Sequence, residues 1–204
     1  MSAIRIGAPP RSLEAVVSRP AGVVRGAAVV CHPHPQMGGD MDSPVVLAIA
    51  AALGREGHAV LRFNFGGVGA SEGEYSGGPA EVEDVRAALA AADALAPPGS
   101  SRLLAGYSFG AWAALRAAAA GAAVERVIAV GPPLAFLDWD FLATLERPVV
   151  FVAGERDPSC PAARLLAAAT AEGRRIELVE GADHFFADAG EALAGAVASA
   201  VRRP

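Results

Sequence analysis

The pentapeptide Gly106-Tyr107-Ser108-Phe109-Gly110 follows a short strand-like run, Arg102 to Ala105, and opens an alanine-rich helical stretch. A serine on a tight strand-to-helix turn between two glycines has the pattern of a nucleophile elbow, in which a strained backbone projects the hydroxyl clear of a sheet. Glycine is needed at 106 and 110 because side chains there would strike the neighbouring strand and helix where the turn is sharpest. The amide of Phe109 then begins a helix and faces the place where a tetrahedral oxyanion would form.

A serine hydroxyl becomes a useful nucleophile only when a base takes its proton during attack, and in this architecture the order along the chain is serine, acid, histidine. Both partners follow Ser108. The continuous apolar run PVVFVAG, Pro148 to Gly154, reads as a buried parallel strand and places Asp157 just past its end. A second strand, RIELVE from Arg175 to Glu180, leads into Gly181-Ala182-Asp183-His184, which places His184 at the same carboxyl-terminal edge where open parallel sheets carry out chemistry. His184 is the candidate base, and Asp157 the carboxylate that fixes its tautomer and stabilises the imidazolium. Glu155, nearer the strand, is the rival acid. Asp183 adjoins His184 in sequence, which suits a supporting role better than a direct bond to the ring. His58 precedes its strand and belongs at the opposite edge.

The segment Cys31-His32-Pro33-His34-Pro35-Gln36-Met37-Gly38-Gly39 follows the strand Ala27 to Val30. This connection is expected to supply a second backbone amide to the oxyanion. Pro33 and Pro35 have no amide hydrogen; the amide of His34 is the first choice, with Gln36 or Met37 as alternatives. The two histidines at HxH spacing could instead bind a metal, but further ligands would be required, and the expectation is that neither a metal nor a cofactor takes part.

Taken together, CHPHPQMGG (Cys31 to Gly39), RFNFGGVGASEG (Arg62 to Gly73), GYSFGA (Gly106 to Ala111), GERDPSCP (Gly154 to Pro161) and GADHFF (Gly181 to Phe186) resemble the α/β-hydrolase superfamily, and most closely a group of short, nearly cap-less bacterial serine hydrolases. The resemblance spans most of the chain. It implies Ser108, Asp157 and His184 as a catalytic triad, with the amides of His34 and Phe109 as oxyanion donors. One departure is Gly66, where that group usually carries arginine, so any role of a guanidinium at that position is in question.

Length and composition fit a single compact domain over residues 1–204, with 53% apolar and 19% charged residues. The chain has no lysine, which excludes a Ser-Lys dyad, a Schiff-base lysine and a Walker phosphate loop. In the glycine-rich stretch 66–73, Glu72 stands where the third glycine of a dinucleotide fingerprint belongs, so a shaped loop is the better account. A net charge of −5 argues against a nucleic-acid partner. The N-terminus lacks the features of a signal peptide and no apolar run is long enough to span a bilayer, so a cytoplasmic protein without a membrane partner is expected, with Cys31 and Cys160 as free thiols.

Strands are expected at 27–31, 59–65, 102–106, 126–131, 148–154 and 175–180. Helices are expected near 43–56, 80–96, 110–121, 160–172 and 189–202, after a hairpin over residues 3–20. This alternation predicts a doubly wound, mostly parallel α/β sheet with helices on both faces and a minimal cap. Only Pro132 to Arg147 separates two of the strands where a cap domain would insert. Leu134, Phe136 and Trp139 in that segment are expected to form one wall of an acyl pocket. The resulting expectation is a small-molecule substrate, a carboxylic ester or thioester cleaved through an acyl-enzyme, as by a carboxylesterase. The alternatives are an acyltransferase on the same triad and a non-catalytic ligand-binding protein on the same scaffold.

Overall fold

A computed structural model of the chain describes residues 1–202; Arg203 and Pro204, the end of the expected single domain, lie outside the described residues. The elements in order are β1 (Ser2–Ala8), β2 (Arg11–Ser18), β3 (Gly26–Cys31), α1 (Pro44–Arg55), β4 (His58–Phe63), α2 (Pro79–Ala92), β5 (Ser101–Tyr107), α3 (Phe109–Ala119), β6 (Arg126–Val130), β7 (Val149–Gly154), α4 (Ala162–Ala168), β8 (Arg174–Val179) and α5 (Gly190–Arg202). They form an eight-stranded sheet in the order β1-β2-β4-β3-β5-β6-β7-β8. The β1–β2 hairpin is antiparallel and joins β4 antiparallel, while β4, β3, β5, β6, β7 and β8 are mutually parallel. The doubly wound α/β architecture expected from the alternation of elements is therefore present.

Period-two burial explains why the central strands are apolar without interruption. Ala27, Val29 and Cys31 of β3 pack in one core with α2 and α3, whereas Ala28 and Val30 pack in another with α1 and α5. Phe151 and Val152 of β7 divide in the same way. With helices on both faces, β3, β4, β6 and β7 are buried along their whole length, and β5 from Leu103 onward. Alanine is abundant in α3 because its small side chain lets the helix lie close to the sheet: Ala111, Ala113, Ala114 and Ala117 are fully buried.

Several boundaries differ from the sequence reading. Strand β4 stops at Phe63 rather than residue 65: Asn64 N–H still reaches Glu14 O in β2 (2.9 Å), but Phe65 N–H leaves the sheet for the ring of His32 (3.0 Å). Helix α4 covers only Ala162–Ala168 of the expected 160–172, since Pro161 caps its start and the chain turns after Ala169 toward Gly173 at φ 77°. Helix α2 ends at Ala92 and continues as a short 3-10 turn over Asp93–Leu95. Among the described residues, no helix is long and apolar enough to cross a membrane.

Candidate active site

Strand β5 ends at Tyr107 and α3 begins at Phe109, so Ser108 alone makes the turn, at φ 55° and ψ −120°. A non-glycine residue held at positive φ costs roughly 1–3 kcal/mol and persists only where its surroundings enforce it. Here Ser108 N–H donates to Val130 O (2.9 Å), while Ser108 O accepts from the amides of Ala111 (2.9 Å) and Trp112 (3.3 Å). The flanking glycines are required by close approach. A Cβ at 106 would lie 2.6 Å from Ala111 N, and one at 110 would lie 2.5 Å from His32 O at the end of β3. Packing at Gly110 thus seats the helix start directly against the segment that follows β3.

On one side of Ser108 the loops after β7 and β8 deliver Asp157 and His184. His184 Nε2 is 3.1 Å from Ser108 Oγ, and His184 Nδ1 is 2.8 Å from Asp157 Oδ2. The carboxylate side chain is fully buried and the imidazole is 18% exposed. Burial alone would raise the Asp157 pKa. Hydrogen bonds from His184 and Ser159, with the charge of the imidazolium, outweigh burial and hold the carboxyl below its ordinary value. The rival acids sit elsewhere: Glu155 accepts from Gly181 N–H (2.9 Å), and Asp183 accepts from Phe185 N–H (3.0 Å) and Ala187 N–H (3.3 Å). Both shape the loop that carries His184 without touching its ring. His58 lies at the start of β4, at the opposite edge, with Nε2 3.0 Å from Ser101 Oγ.

Sequence reasoning missed Ser159. Its hydroxyl donates to Asp157 Oδ1 (2.6 Å), its amide donates to the same oxygen (2.8 Å), and its Oγ lies 2.8 Å from His184 Nδ1 as a second acceptor beside Oδ2. An amide two residues after an aspartate bonding back to its carboxylate is an Asx turn, so the Asp-Pro-Ser spacing carried a readable signal. Tyr107 was also missed. Burial raises its pKa, with the nearby Asp157 charge adding to the shift, and its neutral hydroxyl donates to His184 O (3.1 Å). No pattern in the sequence pointed to that bond.

On the other side of Ser108 lies the segment after β3. The His34 and Phe109 rings are 5.1 Å apart. The alternatives for the second amide separate here, because Gln36 N–H donates to His34 Nδ1 (3.2 Å) and Met37 N–H to His34 O (3.0 Å). The amides of His34 and Phe109 have no protein acceptor among the described residues. The ring nitrogens of the HxH pair meet separate partners rather than a common point: His34 Nε2 approaches Tyr75 Oη (3.1 Å), and His32 meets Pro33 O (2.6 Å) and Phe65 N (3.0 Å).

The two flanks enclose a cleft of about 700 Å³, lined by residues that include His34, Ser108, Phe109, Phe136, Ser159 and His184. Among the described residues, no aspartate, glutamate or arginine lines it. Of the expected wall, Phe136 is in place with Leu137 beside it; Leu134 is buried in the core beneath, and Trp139 stacks on Phe141 outside the lining. The segment is pinned to the scaffold by Ala135 N–H to Ser159 O (3.0 Å) and Trp112 Nε1–H to Asp138 O (2.9 Å). A second cleft, of about 790 Å³, opens between the β2–β3 turn and α1, beside Arg19, Arg25 and Arg55, and is not lined by histidine. At Gly66 any larger side chain would meet a guanidinium already present: a Cβ there would lie 2.6 Å from Arg11 Nη1. Arg11 Nη2 donates to Asp84 Oδ1 (2.6 Å), and Asp84 Oδ2 accepts from Gly66 N–H (3.0 Å).

Comparison with known proteins places this geometry among relatives. A family model described as an alpha/beta hydrolase domain matches residues 27–198. An uncharacterized protein of Rickettsia prowazekii is 34% identical over 169 residues, covering 78% of this chain and 71% of its own length. A structure described as an alpha-beta serine hydrolase homologue from Coxiella burnetii is 31% identical with a TM-score of 0.89, covering 98% of this chain and 97% of that one. Another, from Xanthomonas campestris and described as an a/b serine hydrolase without lid, is 33% identical with a TM-score of 0.89, covering 99% and 94%.

Proposed function

The chain belongs to the alpha/beta hydrolase family, and on that premise we propose that it is a serine hydrolase acting on small, uncharged carboxylic esters or thioesters through an acyl-enzyme. The observation that carries this reading is the continuous relay from Ser108 Oγ through His184 to Asp157, with separations of 3.1 and 2.8 Å, at a strained elbow on a cleft.

In this mechanism Ser108 Oγ attacks the ester carbonyl carbon as His184 Nε2 takes the hydroxyl proton. The carbonyl π electrons move to oxygen, and the resulting oxyanion lies against the amides of His34 and Phe109. Collapse of the tetrahedral species re-forms the carbonyl and breaks the bond to the leaving group, which departs with the proton held on Nε2. Water, deprotonated by His184, then attacks the acyl-enzyme by the same route in reverse and releases the acid. Asp157 keeps the Nδ1 proton in place throughout.

Substrate class follows from the lining. A cleft without a charged carboxylate or guanidinium offers no counter-ion to an ionised acyl chain, whereas Phe136, Leu137, Val45 and Phe185 suit an apolar one. The similar Xanthomonas protein is described as lacking a lid, and the short segment between β6 and β7 in this chain is tied down rather than free to swing over the site. A panel of nitrophenyl esters with neutral acyl chains of increasing length, and one with a terminal carboxylate, tests the reading. Turnover of the short neutral esters, persistence in EDTA and weak turnover of the charged ester are expected. No turnover of any ester, or turnover only after zinc is added to chelated protein, would refute it.

A further inference from the structure

His32 is fully buried beside the proposed site, and both of its ring nitrogens have partners. Phe65 N–H can only donate, so His32 Nε2 must accept that bond (3.0 Å), and the ring proton must sit on Nδ1. From there it donates to Pro33 O at 2.6 Å. The ring is therefore a neutral imidazole in one tautomer, anchored to the residues after β4 and gripping a single carbonyl.

That carbonyl belongs to the same peptide unit as the His34 N–H. A trans peptide is planar, with C=O and N–H pointing in opposite directions. Holding Pro33 O toward the buried ring therefore aims His34 N–H away from it, toward the cleft that His34 lines. Gly39 packs against the same carbonyl, since a Cβ there would clash with Pro33 O, and its amide bonds the next carbonyl, His34 O (3.1 Å). The neighbouring prolines have no amide hydrogen, and the amides of Gln36 and Met37 are bonded to His34 itself. Of the candidate donors His34, Gln36 and Met37, the His34 amide is thus the one left free.

We propose that His32 is a positioning residue that fixes the Pro33–His34 peptide plane so that the His34 amide is preorganised as an oxyanion donor. This inference rests on the serine-hydrolase reading. It adds that the buried histidine of the HxH pair acts through one carbonyl rather than by touching the substrate. Preorganisation is what gives such a donor its effect, because a peptide free to rotate would have to be ordered in the transition state.

Two substitutions separate this role from simple packing. In His32→Asn the side-chain amide occupies the place of Nδ1 and can still donate to Pro33 O, but the bond from Phe65 is lost. In His32→Gln the amide reaches the place of Nε2 and can keep the Phe65 bond, but the grip on Pro33 O is lost. Thermal unfolding of both variants is measured beside steady-state kinetics on a short neutral nitrophenyl ester and binding of a trifluoromethyl ketone analogue. His32→Gln should lose on the order of 10²-fold in kcat with KM little changed, and bind the ketone correspondingly less tightly. His32→Asn should stay within about fivefold of the wild type. Equal losses in the two variants, or a loss in His32→Gln confined to KM or to thermal stability, would overturn the assignment while leaving the serine-hydrolase reading intact. A wild-type protein that turns over no ester and does not bind the ketone would overturn both.

Discussion

On the His184 side of Ser108 the proposed chemistry would be carried by side chains, delivered by loops after β7 and β8 and held by Ser159, Glu155, Asp183 and Tyr107. On the His34 side it would be carried by backbone amides, with the buried His32 ring bonded to Pro33 O and Phe65 N–H behind them. The contrast teaches that an acid and a base can be recognised by residue type, because an imidazole and a carboxylate have few substitutes. An oxyanion donor can be any non-proline residue, so its identity rests on which amide the fold leaves unbonded.

The comparison can be tested by damaging each side in turn. Removing the centre should be worst. Ser108→Ala is expected to lower kcat by about 10⁵-fold or more, down to what the amides and binding supply alone, as measured by nitrophenyl ester hydrolysis. On the side-chain flank, Asp157→Asn should cost about 10⁴-fold by favouring the wrong tautomer of His184, whereas Glu155→Gln, which loses only a bond to Gly181, should cost far less. A larger loss from Glu155→Gln in a folded protein would give the role to the other carboxylate. Ser159→Ala comes next, at about tenfold in kcat, because one of two hydrogen bonds to Asp157 Oδ1 goes while the Ser159 amide bond remains. No change in rate would reduce Ser159 to a turn former.

A last expected effect concerns stability rather than rate. Burial, opposed in part by the Pro33 carbonyl and the Asp40 charge, lowers the His32 pKa to about 4 from an ordinary 6.5. The neutral ring therefore contributes stability that is fully present above pH 6.5 and is lost as pH falls toward 4, at most about 3 kcal/mol. Asp157, whose pKa is held below 3.8, adds its loss only at still lower pH. Denaturant unfolding between pH 7 and 4 should show a decline that is shallower in His32→Asn; an identical slope would mean that His32 is not the group protonated.

The same asymmetry decides how much could be read before any coordinates. The order of strands and helices was legible because apolar runs bounded by glycine and proline leave little choice. So was the placing of Ser108, Asp157 and His184 at one edge, since each follows a strand. Helix and strand ends were not, because they depend on tertiary bonds such as Phe65 N–H to His32, which no periodicity encodes. The pocket wall was half legible: Leu134 and Trp139 have the same apolar character as Phe136, and only the path of the chain decides which of them faces the cleft.

Intact-mass spectrometry after exposure to a fluorophosphonate tests the central claim, that Ser108 is the nucleophile, most directly. The account predicts one adduct per wild-type chain, mapped to Ser108 by peptide sequencing, and none on Ser108→Ala at the same dose. A stoichiometric adduct on Ser108→Ala would contradict it.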